Sequence, residues 1–90
     1  MVYVFTTARP KDPVLHLKVL ETVKPVLTEM GIKIIAAYKS LEDENEQHVI
    51  FESPSAEVFT EFVMSPQTAE KMKEATLMEM PDIQYMLKIW

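Results

Sequence analysis

The sequence predicts an α+β fold: a four-stranded antiparallel sheet with its helices on one face, in the order β-α-β-β-α(α)-β. Three observations carry this expectation. Short β-branched and aromatic runs alternate with amphipathic stretches at helical spacing. The helical stretches open on a cap residue followed by proline, at Asp12-Pro13, Ser53-Pro54 and Ser65-Pro66. The acidic stretch Glu42 to Gln47 reads as a hairpin turn between the middle strands.

Val2 to Thr7, VYVFTT, is the first strand. Neither of its faces is polar, which suits a central position in a sheet covered on both sides. Pro13 to Met30 is a helix with Asp12 as its N-cap. Leu20, Val23, Leu27 and Met30, with Val19 and Val26 beside them, form its apolar face. Lys18, Glu21, Thr22, Pro25 and Glu29 form the polar one. Pro25 cannot bond to the carbonyl of Glu21 and predicts a bend on the solvent side. Gly31, the only glycine in the chain, falls where the helix C′ position favours positive φ.

The second strand, Ile32 to Leu41, alternates Ile32, Ile34, Ala36 and Tyr38 against Lys33, Ile35, Ala37 and Lys39. The third, His48 to Glu52, sets Val49 and Phe51 against His48, Ile50 and Glu52. A helix from Ser53-Pro54 to about Met64 buries Val58, Phe59 and Phe62, with Val63 beside them. Another, from Pro66 to about Thr76, carries Ala69, Met72 and Ala75 on one side. After the connector Leu77 to Asp82, the last strand runs from Ile83 to Trp90. This order is the split β-α-β, or ferredoxin-like, arrangement in a single domain over residues 1–90.

Composition narrows the function classes. The chain is 48% hydrophobic, which suits a globular domain with a modest core of its own. No apolar run approaches the roughly 20 residues of a membrane span, and no signal-peptide pattern opens the chain. Cytoplasm is therefore the expected location. Zero cysteines rule out disulfides and thiolate chemistry. A net charge of −5 with Arg9 as the sole arginine argues against nucleic-acid partners and against membrane surfaces.

With both crossovers on one side, the other face of the sheet displays Lys33, Ile35, Ala37, Lys39, His48, Ile50, Glu52, Gln84, Met86, Lys88 and Trp90. A patch built on Ile35, Ile50, Met86 and Trp90 is large for a soluble monomer and predicts a homodimer through this face. The competing arrangement is a monomer in which the stems of Lys33, Lys39 and Lys88 cover the patch.

The repeated Ser-Pro helix starts, the strand order and the segment FTEFVMSPQTAEKMKEATLMEMPDIQYMLKIW resemble the dimeric α/β-barrel superfamily, which includes the antibiotic-biosynthesis-monooxygenase-like proteins. The resemblance spans nearly the whole chain as a pattern and rests on no diagnostic motif. It implies two sheets facing each other across a dimer. It also implies a small-molecule cavity in each subunit, between sheet and helices. Members of that group include cofactor-independent oxygenases, haem-degrading enzymes, isomerases and proteins without known activity.

Few side chains are chemical candidates. His16 shares the sheet-facing side of its helix with Leu20 and Val23, so it is the candidate general base or ligand contact. His48 points toward the expected dimer face with Glu52 and Lys39. Tyr3, Tyr38, Phe59, Met72 and Tyr85 are candidate substrate contacts. Met30, Met64, Met78, Met80 and Met86 could add an adaptable wall. The histidines show no metal-type spacing, the acidic turn lacks the EF-hand pattern, and no phosphate-binding loop or nucleophile elbow occurs. No metal or cofactor is expected. Two functions stay open, with a haem-binding version as a third option: a cofactor-independent monooxygenase or isomerase acting on a small hydrophobic or aromatic molecule, and a non-catalytic ligand-binding or oligomerisation module.

Overall fold

The computed structural model describes residues 1–77 and 79–90. Its elements are β1 (Val2–Ala8), α1 (Pro13–Glu29), β2 (Lys33–Lys39), β3 (Gln47–Ser53), α2 (Ala56–Met64), α3 (Pro66–Glu74) and β4 (Asp82–Met86). The strands form one four-stranded sheet in the order β2-β3-β1-β4, with every neighbouring pair antiparallel. This is the ferredoxin-like arrangement that the sequence predicts, with β1 central.

Local chemistry sets the helix ends. The Asp12 carboxylate accepts the N–H of Leu15 at 3.1 Å, and Pro13 fills the first helical position. The helix runs unbroken past Pro25, which lies on the exposed side. Gly31 closes it at φ +76°, where a Cβ would meet Pro54 Cγ at 3.1 Å. The start of α2 differs from the expected one. Ser53 stays in β3 opposite Val2, and its hydroxyl donates to the Ser55 carbonyl at 2.8 Å. Ser55 is the actual N-cap, accepting from Val58 N–H at 3.2 Å. Ser65 caps α3 as expected, accepting from Thr68 N–H at 3.2 Å. On α3, however, Thr68 is buried and Ala69 is exposed, and Ala75, buried, caps the helix end. On α1, Val26 is exposed.

The strand register sorts side chains into rows. On the helix side, Ala37, Val49, Thr6 and Ile83 share one row, and Ile34, Phe51, Val4 and Tyr85 the next. These rows meet α1 and α2 in a core that includes Val4, Val23, Leu27, Ile32, Val49, Phe51, Phe59 and Val63. Phe59 centres it, with its ring 5.0 Å from that of Phe51 and 5.9 Å from that of Phe62.

Two strand assignments need correction. A register shift between Ile34 and Ala36 inserts one extra residue in β2 against β3. Beyond it the alternation reverses. Ala36 and Tyr38 therefore turn to the open side of the sheet, opposite Ile50 and His48, while Ala37 and Lys39 turn to the helix side. The last strand also stops at Met86 instead of reaching Trp90. Met86 lies opposite Tyr3, so β1 has almost no chain left to pair with anything further on. Leu87, Ile89 and Trp90 are exposed, Trp90 completely so.

Candidate functional site

A cavity of about 80 Å³ lies between the helix side of the sheet and the three helices. Its walls are nearly all apolar: Val19, Leu20 and Val23 of α1, Val49 and Phe51 of β3, Phe59, Phe62 and Val63 of α2, and Met72 of α3. The cavity exceeds the volume one water needs and is about half the ~150 Å³ that accepts a benzene ring. An aromatic occupant therefore requires a wall to move. Met72, half-buried and unbranched, is the wall best suited to do so.

Few polar groups reach this space. The Thr6 hydroxyl donates to the Val49 carbonyl at 2.9 Å. Thr68 is bonded to Ser65 Oγ at 2.8 Å. Lys71 also lines the cavity, and its ammonium lies 3.3 Å from Glu74. The remaining group is His16, which is buried on the first turns of α1, its own N–H bonded to the Asp12 carbonyl at 3.1 Å.

The His16 ring is held by a partner the sequence reading assigned to the acidic turn. Gln47 opens β3, and its alternation with Val49 and Phe51 puts it on the helix side, where it is buried. Its Oε1 lies 2.5 Å from His16 Nδ1, and its Nε2 lies 3.2 Å from the Pro13 carbonyl. The Pro13 carbonyl can only accept, so the Gln47 amide must present N–H to it. That leaves Oε1 to face the imidazole, which must then donate from Nδ1. The neutral ring therefore has Nδ1 protonated and the lone pair on Nε2. Nε2 bonds to nothing among the described residues. No wholly buried side-chain nitrogen or oxygen among them lacks a partner, so Nε2 retains access, and His16 lines the cavity. The arrangement offers an apolar cavity one oriented hydrogen-bond acceptor, which can also take a proton.

The other candidates separate. Phe59 and Met72 line the same cavity as His16. Tyr85 stands outside it. Its ring meets Phe59 edge-on at 6.3 Å, and its hydroxyl is bonded to Thr60 Oγ1 at 2.8 Å. Tyr3 lies opposite Glu52 and Met86, in the row that faces away from the helices. Tyr38 joins that side through the bulge and is exposed. Of the other methionines, Met30 packs on the core, Met64 and Met80 are exposed, Met86 lies on the open side of the sheet, and Met78 is outside the described residues.

His48 belongs to a separate, partly exposed network. Its Nδ1 is 3.1 Å from Thr7 Oγ1 and its Nε2 is 3.0 Å from Glu46 Oε2. The other oxygen of Glu46 pairs with Arg9, whose Nε lies 3.7 Å from Asp43. Lys39 is not part of it, because the bulge turns that side chain to the opposite side. The acidic turn is tied by its own side chains, with Asp43 Oδ1 accepting from Asn45 N–H at 2.9 Å and Ser40 Oγ from Glu42 N–H at 3.2 Å. Among the described residues, no three His, Asp or Glu side chains converge as metal ligands, and no helix is long and apolar enough to cross a membrane.

Known structures share this architecture. No protein-family profile matches the chain, and no curated protein matches it by sequence. A crystal structure from Bordetella bronchiseptica, assigned to the antibiotic biosynthesis monooxygenases, superposes with a TM-score of 0.79 at 14% identity, covering 99% of this chain and 97% of that one. Another antibiotic biosynthesis monooxygenase gives 0.69 at 10% identity over 99% of both chains. A protein of Agrobacterium tumefaciens gives 0.65 at 22% identity, covering 97% of this chain and 92% of that one. The class is thus defined at the level of fold: a ferredoxin-like α+β domain of the kind found in antibiotic-biosynthesis-monooxygenase-like structures.

Proposed function

We propose that the chain binds a small hydrophobic or aromatic molecule in the cavity between sheet and helices, anchored by one hydrogen bond to His16 Nε2. The observation that carries this reading is the His16–Gln47 pair, a buried polar group oriented by a second one inside an otherwise apolar wall. The monooxygenase descriptions of structures with the same fold favour an enzymatic version. In that version His16 takes a proton from a substrate methylene and dioxygen reacts with the resulting carbanion; the methylene becomes a carbonyl that keeps one oxygen atom, and the other leaves as water with the methylene's two hydrogens, so the substrate itself is the reductant. Isomerisation by the same proton transfer uses the same residue.

A second copy of the chain is the proposed partner at the open side of the sheet. Support comes from its composition. The middle row sets Ala36, Ile50, Phe5 and Gln84 side by side, with the bulged Ile35 adjacent. The next row sets Lys33 beside Glu52. Opposite charges side by side on one face are self-complementary under a two-fold axis.

The test of the cavity reading is titration of labelled protein with small aromatic molecules, followed by NMR. Binding should shift Val19, Val49, Phe59 and Met72 together, and His16→Leu should weaken it with the fold intact. Dioxygen uptake with bound substrate, lost in His16→Leu, is the enzymatic result. Shifts confined to the open sheet side would contradict the cavity reading.

A further inference from the structure

We infer that Gln47 is a positioning residue: it fixes which nitrogen of His16 faces the cavity and so makes the cavity select ligands that donate a hydrogen bond. The inference deepens the proposed cavity function and rests on it for the ligand half. Its starting point is a chain of donors and acceptors with one consistent solution. The Pro13 carbonyl accepts from Gln47 Nε2 at 3.2 Å, and Gln47 Oε1 accepts from His16 Nδ1 at 2.5 Å. Rotating the amide by half a turn would set two carbonyl oxygens against each other, so the backbone itself blocks the alternative. The neutral imidazole then presents only a lone pair at Nε2.

The rest of the wall does not soften this choice. The Thr6 hydroxyl is spent on the Val49 carbonyl, and the Lys71 ammonium stands by Glu74. A carboxylate or phosphate would meet the His16 lone pair in an otherwise apolar wall, with the Lys71 ammonium drawn toward Glu74. A ketone or ether would leave Nε2 buried without a partner, which is unfavourable. The ligand class that fits is a small, neutral, largely apolar molecule with one N–H or O–H. Gln47 is neutral, so it orients the ring without placing a charge beside it. That suits a binding site whose occupant is itself neutral.

The test uses the whole chain, with pyrrole and furan as probes. Both are five-membered rings of similar size and smaller than benzene, so each needs the same small displacement of the Met72 wall, and only pyrrole carries an N–H donor. Long-range ¹H–¹⁵N spectra at pH 8 report the tautomer of His16 directly. The expected result is a protonated Nδ1 in the free protein, a change at Nε2 on adding pyrrole, and about tenfold weaker binding of furan, the factor set by one hydrogen bond. Gln47→Leu should move the proton toward Nε2 and abolish the preference for pyrrole. A merely structural glutamine would change stability without moving the proton. A protonated Nε2 in the wild type, or an unchanged tautomer in a folded Gln47→Leu, overturns the inference even if both rings bind. Failure of both rings to perturb any cavity residue, with Nδ1 protonated, overturns the cavity reading and the ligand selection with it.

Discussion

The His16–Gln47 pair allows a double-mutant cycle with a distinctive expected sign. Both residues are buried, at 6% and 5% exposure, and each is the other's hydrogen-bond partner at 2.5 Å. In His16→Leu, Gln47 Oε1 is left without its donor. In Gln47→Leu, the Nδ1–H of His16 loses its acceptor. Each single change should cost about 1–3 kcal/mol, the desolvation penalty of one orphaned buried group. The double variant orphans nothing on either side chain, and the Pro13 carbonyl remains within the first turn of α1, where a helical N–H reaches it. Two leucines also remove more apolar surface from water than the polar pair does. The double variant should therefore be at least as stable as either single one, and close to the wild type. The coupling energy is about 1–3 kcal/mol. Urea midpoints at unchanged slope provide the measurement. Additive losses, with the double variant the least stable of the four, would show that the two groups do not sense each other and refute the tautomer argument at its root.

Other expectations are independent of that pair. Gly31→Ala places a Cβ at φ +76° and 3.1 Å from Pro54 Cγ, so it should cost about 1–2 kcal/mol, or roughly 4–16 °C in thermal midpoint; an unchanged midpoint would contradict the αL cap. Tyr85→Phe removes a hydroxyl bonded to Thr60 at an exposed site, so the loss should stay below about 1 kcal/mol, with ring binding unchanged in the same titration. Ile35→Lys combined with Ile50→Lys places like charges on the open side of the sheet. Light scattering should give a dimer mass for the wild type and a monomer mass for this variant, and one mass for both would exclude that face as the contact.

How much of this was legible in the sequence differs by level. The caps at Asp12 and Ser65, the αL glycine and the strand order depend on local rules, and those rules carried through. The faces of β2 did not, because a bulge has no clear local signature in IKIIAAYK, and one extra residue reverses everything after it. Ser53-Pro54 resembles the other cap signals, yet pairing with Val2 holds Ser53 in the sheet and passes the cap to Ser55. Gln47 was hidden by its neighbours. It ends a run of acidic residues and reads as turn, although its parity with Val49 and Phe51 was available in the sequence. What parity alone could not supply is the distance to His16, since those residues are 31 positions apart and only the packing of α1 across β3 joins them.

The cavity poses a question of energetics that bears on whether it is functional. Filling 80 Å³ at roughly 24 cal/mol per Å³ would add about 2 kcal/mol, a substantial share of the stability of a domain this small. Simple changes are available. Val19 lies on α1 three residues after His16 and lines the same space, so Val19→Ile adds one methylene where there is room for it. It should stabilise the fold by up to about 0.8 kcal/mol, the value of one buried methylene. If the space serves a ligand, the same change must weaken pyrrole binding, because the methylene takes up volume the ring needs. Stability and binding would then move in opposite directions, as at sites where function has kept a core from optimal packing. A Val19→Ile protein that is less stable and binds pyrrole as well as before would mean that the ring sits away from Val19 and outside this space. The His16–Gln47 pair would then be an internal polar contact that the ring does not reach.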